Sequence, residues 1–145
     1  MLKLPGTRYT GGVYTHPKLV SFTATLEALF REVDEILEDE WGGSFTLHPN
    51  RPGRGSTGNP EMDGLFEIAP DFTVGIGSEK GRGYLVSFRA ATLEKVSPEQ
   101  FEFLMEQAAA LIAARLPRYF PERKLEVVRD GKRFKIIGDF SLGKA

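Results

Sequence analysis

Cysteine is absent from the 145 residues, which excludes disulfides, thiolate metal ligands and a cysteine nucleophile, and fits a reducing compartment. Histidine is scarce: only His16 and His48 are present, 32 residues apart and each followed by proline. A zinc or acid–base site would need a carboxylate such as Asp63, Glu67 or Asp71 beside them, and a separation of that length specifies none. No metal and no cofactor is therefore expected. Long apolar runs are missing too. The longest, Ala108–Ala114, has seven residues, against the roughly 20 that a membrane-spanning helix needs. The opening "MLKLPGTRYTGGVY" holds no apolar core of a secretory signal, so a cytoplasmic protein without membrane contact is expected.

What is present describes an ordinary globular chain, with 41% hydrophobic and 27% charged residues and a net charge of −1. A chain of this size folds as a single domain that buries roughly 70% of its unfolded surface. One domain over residues 1–145 is expected, with an irregular segment at 1–20 and a long glycine- and proline-rich loop at 49–64. The small net charge hides an asymmetry. Leu26 to Trp41 holds seven acids and one arginine, whereas Arg115 to Lys135 holds eight bases and three acids. Two faces of opposite sign attract weakly within a fold, or else present a charged surface to a partner.

Leu26, Leu29, Phe30, Val33, Ile36 and Leu37 recur at three- and four-residue steps, which predicts a helix from about Thr25 to Trp41, ended by Gly42 and Gly43. Ser21, Thr23 and Thr25 are the candidate N-caps. In "SPEQF", Ser97, Pro98 and Gln100 form a capping-box start for a second helix. Its expected stripe is Phe101, Leu104, Met105, Ala108, Leu111 and Ile112, and Pro117 is expected to stop it near Arg115. Ala109, Ala110, Ala113 and Ala114 leave a thin second face, open to close approach by another backbone.

Strand patterns fill the rest. Ser44–His48 and Leu65–Ala69 read as short strands, and Ala69–Phe72 as a kink into the next. A tight turn at Ser78–Gly81, with Gly81 left-handed, would set Ile76 opposite Tyr84, Val74 opposite Val86 and Phe72 opposite Phe88. Asp130–Gly131 suits a type I′ turn that places Leu125 against Ile136, Val127 against Phe134 and Glu126 against a solvent-facing Lys135. "NPEM" at 59–62 offers an alternative short helix with Asn59 as its cap. The expected class is α+β, a two-layer sandwich with two helices packed on one face of a mainly antiparallel sheet, in the order α-β-β-β-β-α-β-β.

Helix, three strands, helix is also the order of double-stranded RNA-binding domains. Those place lysines at the start of the second helix, where this chain has Pro98-Glu99-Gln100, so nucleic acid is not the expected partner. The same order continued by two strands resembles class I type III secretion chaperones, small acidic dimers that hold unfolded effector segments. The likeness lies in element order alone, the chain lacks their final helix, and no residue is carried over.

"RPGRGSTGNPEMDG", residues 51–64, offers anion-binding parts: Arg51, Arg54, Ser56, Thr57 and Asn59 could hold a small-molecule anion by charge and backbone amides. It matches neither a Walker loop nor a dinucleotide fingerprint. "GRGSTG" is not a nucleophile elbow either, because Gly55 directly precedes the serine. "REVDEILEDE" sets Glu32, Glu35 and Asp39 on one helix face but has no accompanying histidine, which points to an acidic surface. No catalytic constellation emerges. The leading expectation is an interaction module that binds a protein partner or self-associates as a homodimer. Its surface would be the uncovered sheet face near Gly75, Gly77 and Arg89, or the alanine face of the second helix. The alternative is a small-molecule or phosphate-ester site at residues 51–59.

Overall fold

The computed structural model describes residues 17–76 and 80–140; His16, Gly77, Ser78 and Glu79 lie outside them. The elements are α1 (Pro17–Trp41), β1 (Phe66–Thr73), β2 (Gly83–Ala90), α2 (Pro98–Tyr119), β3 (Leu125–Asp130) and β4 (Arg133–Gly138). The strands form one antiparallel sheet in the order β1-β2-β4-β3. Both helices lie on one face of it. Leu26, Phe30 and Val33 of α1 and Leu104, Met105 and Ile112 of α2 share a buried core with Phe66, Ile68, Val86, Phe88 and Ile136. The α+β two-layer architecture is thus the one that the two helical stripes require.

α2 starts where its sequence says. The Ser97 side chain accepts from Gln100 N–H, and the Gln100 side chain accepts from Ser97 N–H. It does not stop at Arg115 but runs through Pro117 to Tyr119. Pro117 removes one helical hydrogen bond, a local cost, while the continued turn buries Leu116 and Phe120. It also carries Arg115 and Tyr119 to α1: both donate to the Glu32 carboxylate, Arg115 Nε at 2.9 Å. α1 begins at Pro17, so Ser21, Thr23 and Thr25 lie inside it and cap nothing; Thr25 Oγ1 donates back to Ser21 O.

Ser44–His48 is not a strand. Single hydrogen bonds tether it to the segment after β2: His48 N–H to Ala91 O at 2.8 Å, Thr92 Oγ1 to Thr46 O, and Thr46 N–H to Glu94 Oε2. Only two strands therefore separate the helices, so the three-strand order shared with RNA-binding domains and secretion chaperones does not occur. β1 runs unbroken through Pro70, which an edge strand tolerates.

Both hairpin registers differ from expectation by an even number, which keeps the facing of the residues that do pair, but Val74 and Ile76, expected opposite Val86 and Tyr84, fall beyond β1 and are exposed. Phe72 pairs with Tyr84, Pro70 with Val86 and Ile68 with Phe88. β1 thus ends at Thr73 and β2 begins at Gly83; the tight turn expected at Ser78–Gly81 falls partly on residues outside those described. In the second hairpin Asp130 pairs with Arg133, Val127 with Ile136 and Val128 with Lys135. The loop is Gly131-Lys132, and only Gly131 has positive φ (66°), which excludes a I′ turn. Lys135 consequently faces Val128, not Glu126. It is not solvent-exposed either: at 1% exposure its Nζ meets Asp130 Oδ2 at 2.6 Å and donates to Gly81 O at 2.5 Å.

Candidate functional site

The 51–64 loop is an ordered structure built on its own polar groups. Arg51 donates from Nε to Gly64 O (2.9 Å), from Nη1 to Glu67 Oε2 (2.8 Å), and from Nη2 to the carbonyls of Glu61, Asp63 and Phe66. Arg54 reaches α1, with Glu35 at 2.8 Å and Asp39 at 2.9 Å. Thr57 donates to Asp63 Oδ2 from both its amide (3.0 Å) and its hydroxyl (2.7 Å). Ser56 Oγ donates to Gly53 O, and Asn59 Oδ1 accepts from Glu61 N–H. "NPEM" accordingly makes a single turn, closed by Met62 N–H to Asn59 O. The two cations read as anion ligands are thus both engaged by carboxylates and carbonyls of this chain. Glu35 and Asp39 are paired with Arg54 and Glu32 with Arg115, so the acidic face of α1 is largely matched within the fold.

Beneath the loop lie three buried acids, Asp34, Glu38 and Asp63. Glu38 accepts from Phe66 N–H at 2.8 Å and sits so close to Gly64 that a Cβ there would come within 2.6 Å of its Oε2. Burial raises its carboxyl above the usual range despite the Phe66 and Leu65 amides. Burial also opposes ionisation of Asp63, yet the Thr57 hydroxyl and amide, the Gly55 amide and the Arg51 charge hold it below its ordinary value. Asp34 has no such help. Its side-chain oxygens find no hydrogen-bond partner among the described residues, and burial, followed by Glu38, Glu35 and Asp63, pushes it up to about 8. No group of three or more metal-type ligands is assembled among the described residues.

The sheet face away from the helices is partly covered by the chain itself. Gly75 (φ 84°) lies in the connection after β1, where a Cβ would come within 2.3 Å of the Gly81 backbone. The close approach read from this glycine is therefore an internal one. Gly81 in turn caps Lys135 at the middle of the sheet. Arg89 stands 74% exposed at the sheet end, with Nε 3.3 Å from Glu67. On α2, Ala110, Ala113 and Ala114 are exposed while Ala109 is buried.

A recess that the sequence patterns alone do not reveal opens where α1 ends and α2 begins. Gly42 closes α1, its amide bonded to Glu38 O, and Ser44 N–H returns to Trp41 O. This turn brings Trp41, Ser44 and Phe45 against Glu99, Gln100, Phe103 and Leu104, around a volume of about 300 Å³. The Trp41 and Phe103 rings meet edge to face, with centroids 5.1 Å apart and planes at 89°. Phe103 is 43% exposed, Phe101 36% and Leu93 74%. Phe101, expected in the core, instead packs its ring on Phe88 from the margin, at 5.7 Å. The buried Trp41 Nε1 has no hydrogen-bond partner among the described residues. One signal was available beforehand: Phe103 is a large aromatic that falls outside the apolar stripe of its helix.

His48 has a local role, accepting at Nδ1 from Asn50 N–H at 3.0 Å. Among the described residues no helix is long and apolar enough to cross a membrane. A family model described as "Uncharacterised protein" matches residues 17–138. The chain is also similar to an uncharacterised protein of Borreliella burgdorferi (strain B31), 39% identical over 123 residues that make up 85% of this chain and 96% of that protein. No solved structure matches.

Proposed function

We propose, from the premise that the chain belongs to the uncharacterised-protein family matched over residues 17–138, that it is a protein-interaction module. Its recess at the junction of the two helices receives large apolar side chains of a partner segment. The observation that carries this reading is the pairing of an apolar recess with aromatic side chains left exposed at its edge, Phe103 above all. Ligand sites are concave and mostly apolar with a few polar groups, and Ser44, Glu99 and Gln100 are the polar members here.

Size argues for a segment and against a lone small molecule. Burying one leucine- or phenylalanine-sized side chain yields about 2–3 kcal/mol, whereas micromolar binding needs about 8 kcal/mol after association costs have been met. Two or three anchors are required, and Trp41, Phe45, Phe103 and Leu104 supply the apolar lining that would take them. The 51–59 loop supports a ligand less well, since Arg51 and Arg54 are already paired.

Trp41 is the only tryptophan, so its emission reports on the recess. Random 12-residue peptides displayed on phage and selected on the immobilised protein are expected to enrich clones with two or more large apolar residues. Synthetic copies should shift Trp41 emission saturably, and Phe103→Ser should weaken them about 30-fold, equivalent to about 2 kcal/mol, with little change in melting temperature. Enrichment of no such clones, or equal binding by the Phe103→Ser protein, would overturn the proposal.

A further inference from the structure

We infer that the occupant of the recess is a positively charged apolar segment, one whose large side chains are flanked by lysine or arginine; this rests on the interaction reading above. The evidence is the charge around the recess. α1 delivers Trp41 from a last turn that contains no base and ends in Glu38, Asp39 and Glu40, so the negative pole of that helix is not offset from within. Asp39 is paired with Arg54. Glu40 is exposed beside Trp41, and no ion pair among the described residues engages it.

On the opposite wall Glu99 lines the recess, exposed and likewise without a cationic partner among the described residues. It sits in the first turn of α2, where a carboxylate compensates the positive pole of that helix. The pole is further closed by the reciprocal Ser97–Gln100 cap, so α2 does not turn the recess into an anion site.

A third carboxylate, Glu94, is held beside Phe45 by accepting from Thr46 N–H at 2.6 Å. Hydrogen bonding by Thr46 lowers the Glu94 carboxyl below its usual range, so it stays ionised at neutral pH. The nearby bases are mostly committed: Arg54 to Glu35 and Asp39, and Arg129 to Glu102 at 2.7 Å. Lys95, next to Glu94 in sequence, is exposed and makes no ion pair among the described residues. Glu99 thus lines the apolar floor itself, while Glu40 adjoins Trp41 in sequence and Glu94 sits on the amide next to Phe45, and an opposing cation is what makes such a surface complementary and steers a partner onto it.

The test uses peptides selected on the full-length protein. Lysine and arginine are expected to be enriched over the input library beside the apolar residues. Replacing two of them by glutamine should weaken binding about three- to tenfold, a difference that shrinks in high salt. Glu40→Lys with Glu99→Lys should reverse the preference, favouring glutamate-flanked versions of the same peptides while the unfolding midpoint stays unchanged. Peptides that shift Trp41 emission and depend on Phe103, yet show no charge preference and no response to the double reversal, would overturn this inference and leave the interaction reading standing. A selection that gives no recess-binding peptide would overturn both.

Discussion

Asp34 is the residue whose surroundings are least favourable to its ordinary charge. Its folded-state pKa of about 8 lies far above the value of 3.8 that it has when unfolded, so the folded state binds the proton more tightly. The stabilisation linked to this proton is complete below about pH 4, falls as the pH rises towards 8, and changes no further above that. Asp34→Asn keeps the shape and removes the titration. It should flatten the dependence of the urea midpoint on pH between 4 and 8 and leave the protein at least about 1 kcal/mol more stable than wild type at pH 9. An asparagine variant whose urea midpoint keeps the full wild-type pH dependence between 4 and 8 would contradict this assignment. Gly64 gives a steric test. Its φ of 77° and the Glu38 carboxylate 2.6 Å from a would-be Cβ predict that Gly64→Ala costs about 1–3 kcal/mol. Gly53, with open space around it and no positive φ, should accept alanine with no loss in the same denaturation assay.

At the scale of elements, the two arginines of the 51–64 loop differ in what they hold. Arg51 is 11% exposed and serves four carbonyls and Glu67, whereas Arg54 is 42% exposed and bridges to exposed acids on α1. Arg51→Met should lower stability by about 2–4 kcal/mol, because buried acceptors lose their donor, and should speed amide exchange through residues 55–64. Arg54→Gln should cost under about 1 kcal/mol, as for an exposed pair. Equal costs would refute this division. The sequence could reveal the loop's composition but not which partners its arginines find, since Glu35, Glu61 and Glu67 are brought to them only by the fold. The hairpins teach a related lesson. Alternation of apolar residues determined which side chains face the helices, and any even slip preserves it. In the observed registers Gly75 lies close to the Gly81 backbone and Lys135 reaches Gly81 and Asp130, none of which a turn motif encodes. Helix starts behaved differently. The Ser97–Gln100 box is local and was read correctly, while the start of α1 carries no such box and lies well upstream of its first core leucine.

Over the whole molecule, two helices on one face of an antiparallel sheet follow from the apolar periodicities, and that much was legible; the number of strands was not, since Ser44–His48 forms none and Leu65–Ala69 runs on through Pro70 as one strand. The recess was not, because Trp41 and Phe45 lie more than fifty residues from Glu99 and Phe103 and only the packing of α1 against α2 joins them. Partial cover of the outer sheet face by residues 80–82 also shifts attention away from the surface that a simple two-layer scheme leaves bare. Three binding surfaces consequently make different predictions: the recess, the 51–59 loop and the outer sheet face around Arg89. They are separated most directly by mapping amide chemical-shift changes in the isotope-labelled protein as a selected apolar, lysine-flanked peptide is added. The largest changes are predicted at residues 41–45 and 99–104, with 51–59 and 83–89 nearly still; changes concentrated in the loop or on the outer face of the sheet, with Trp41 and Phe103 unmoved, would contradict the assignment of the recess as the binding site.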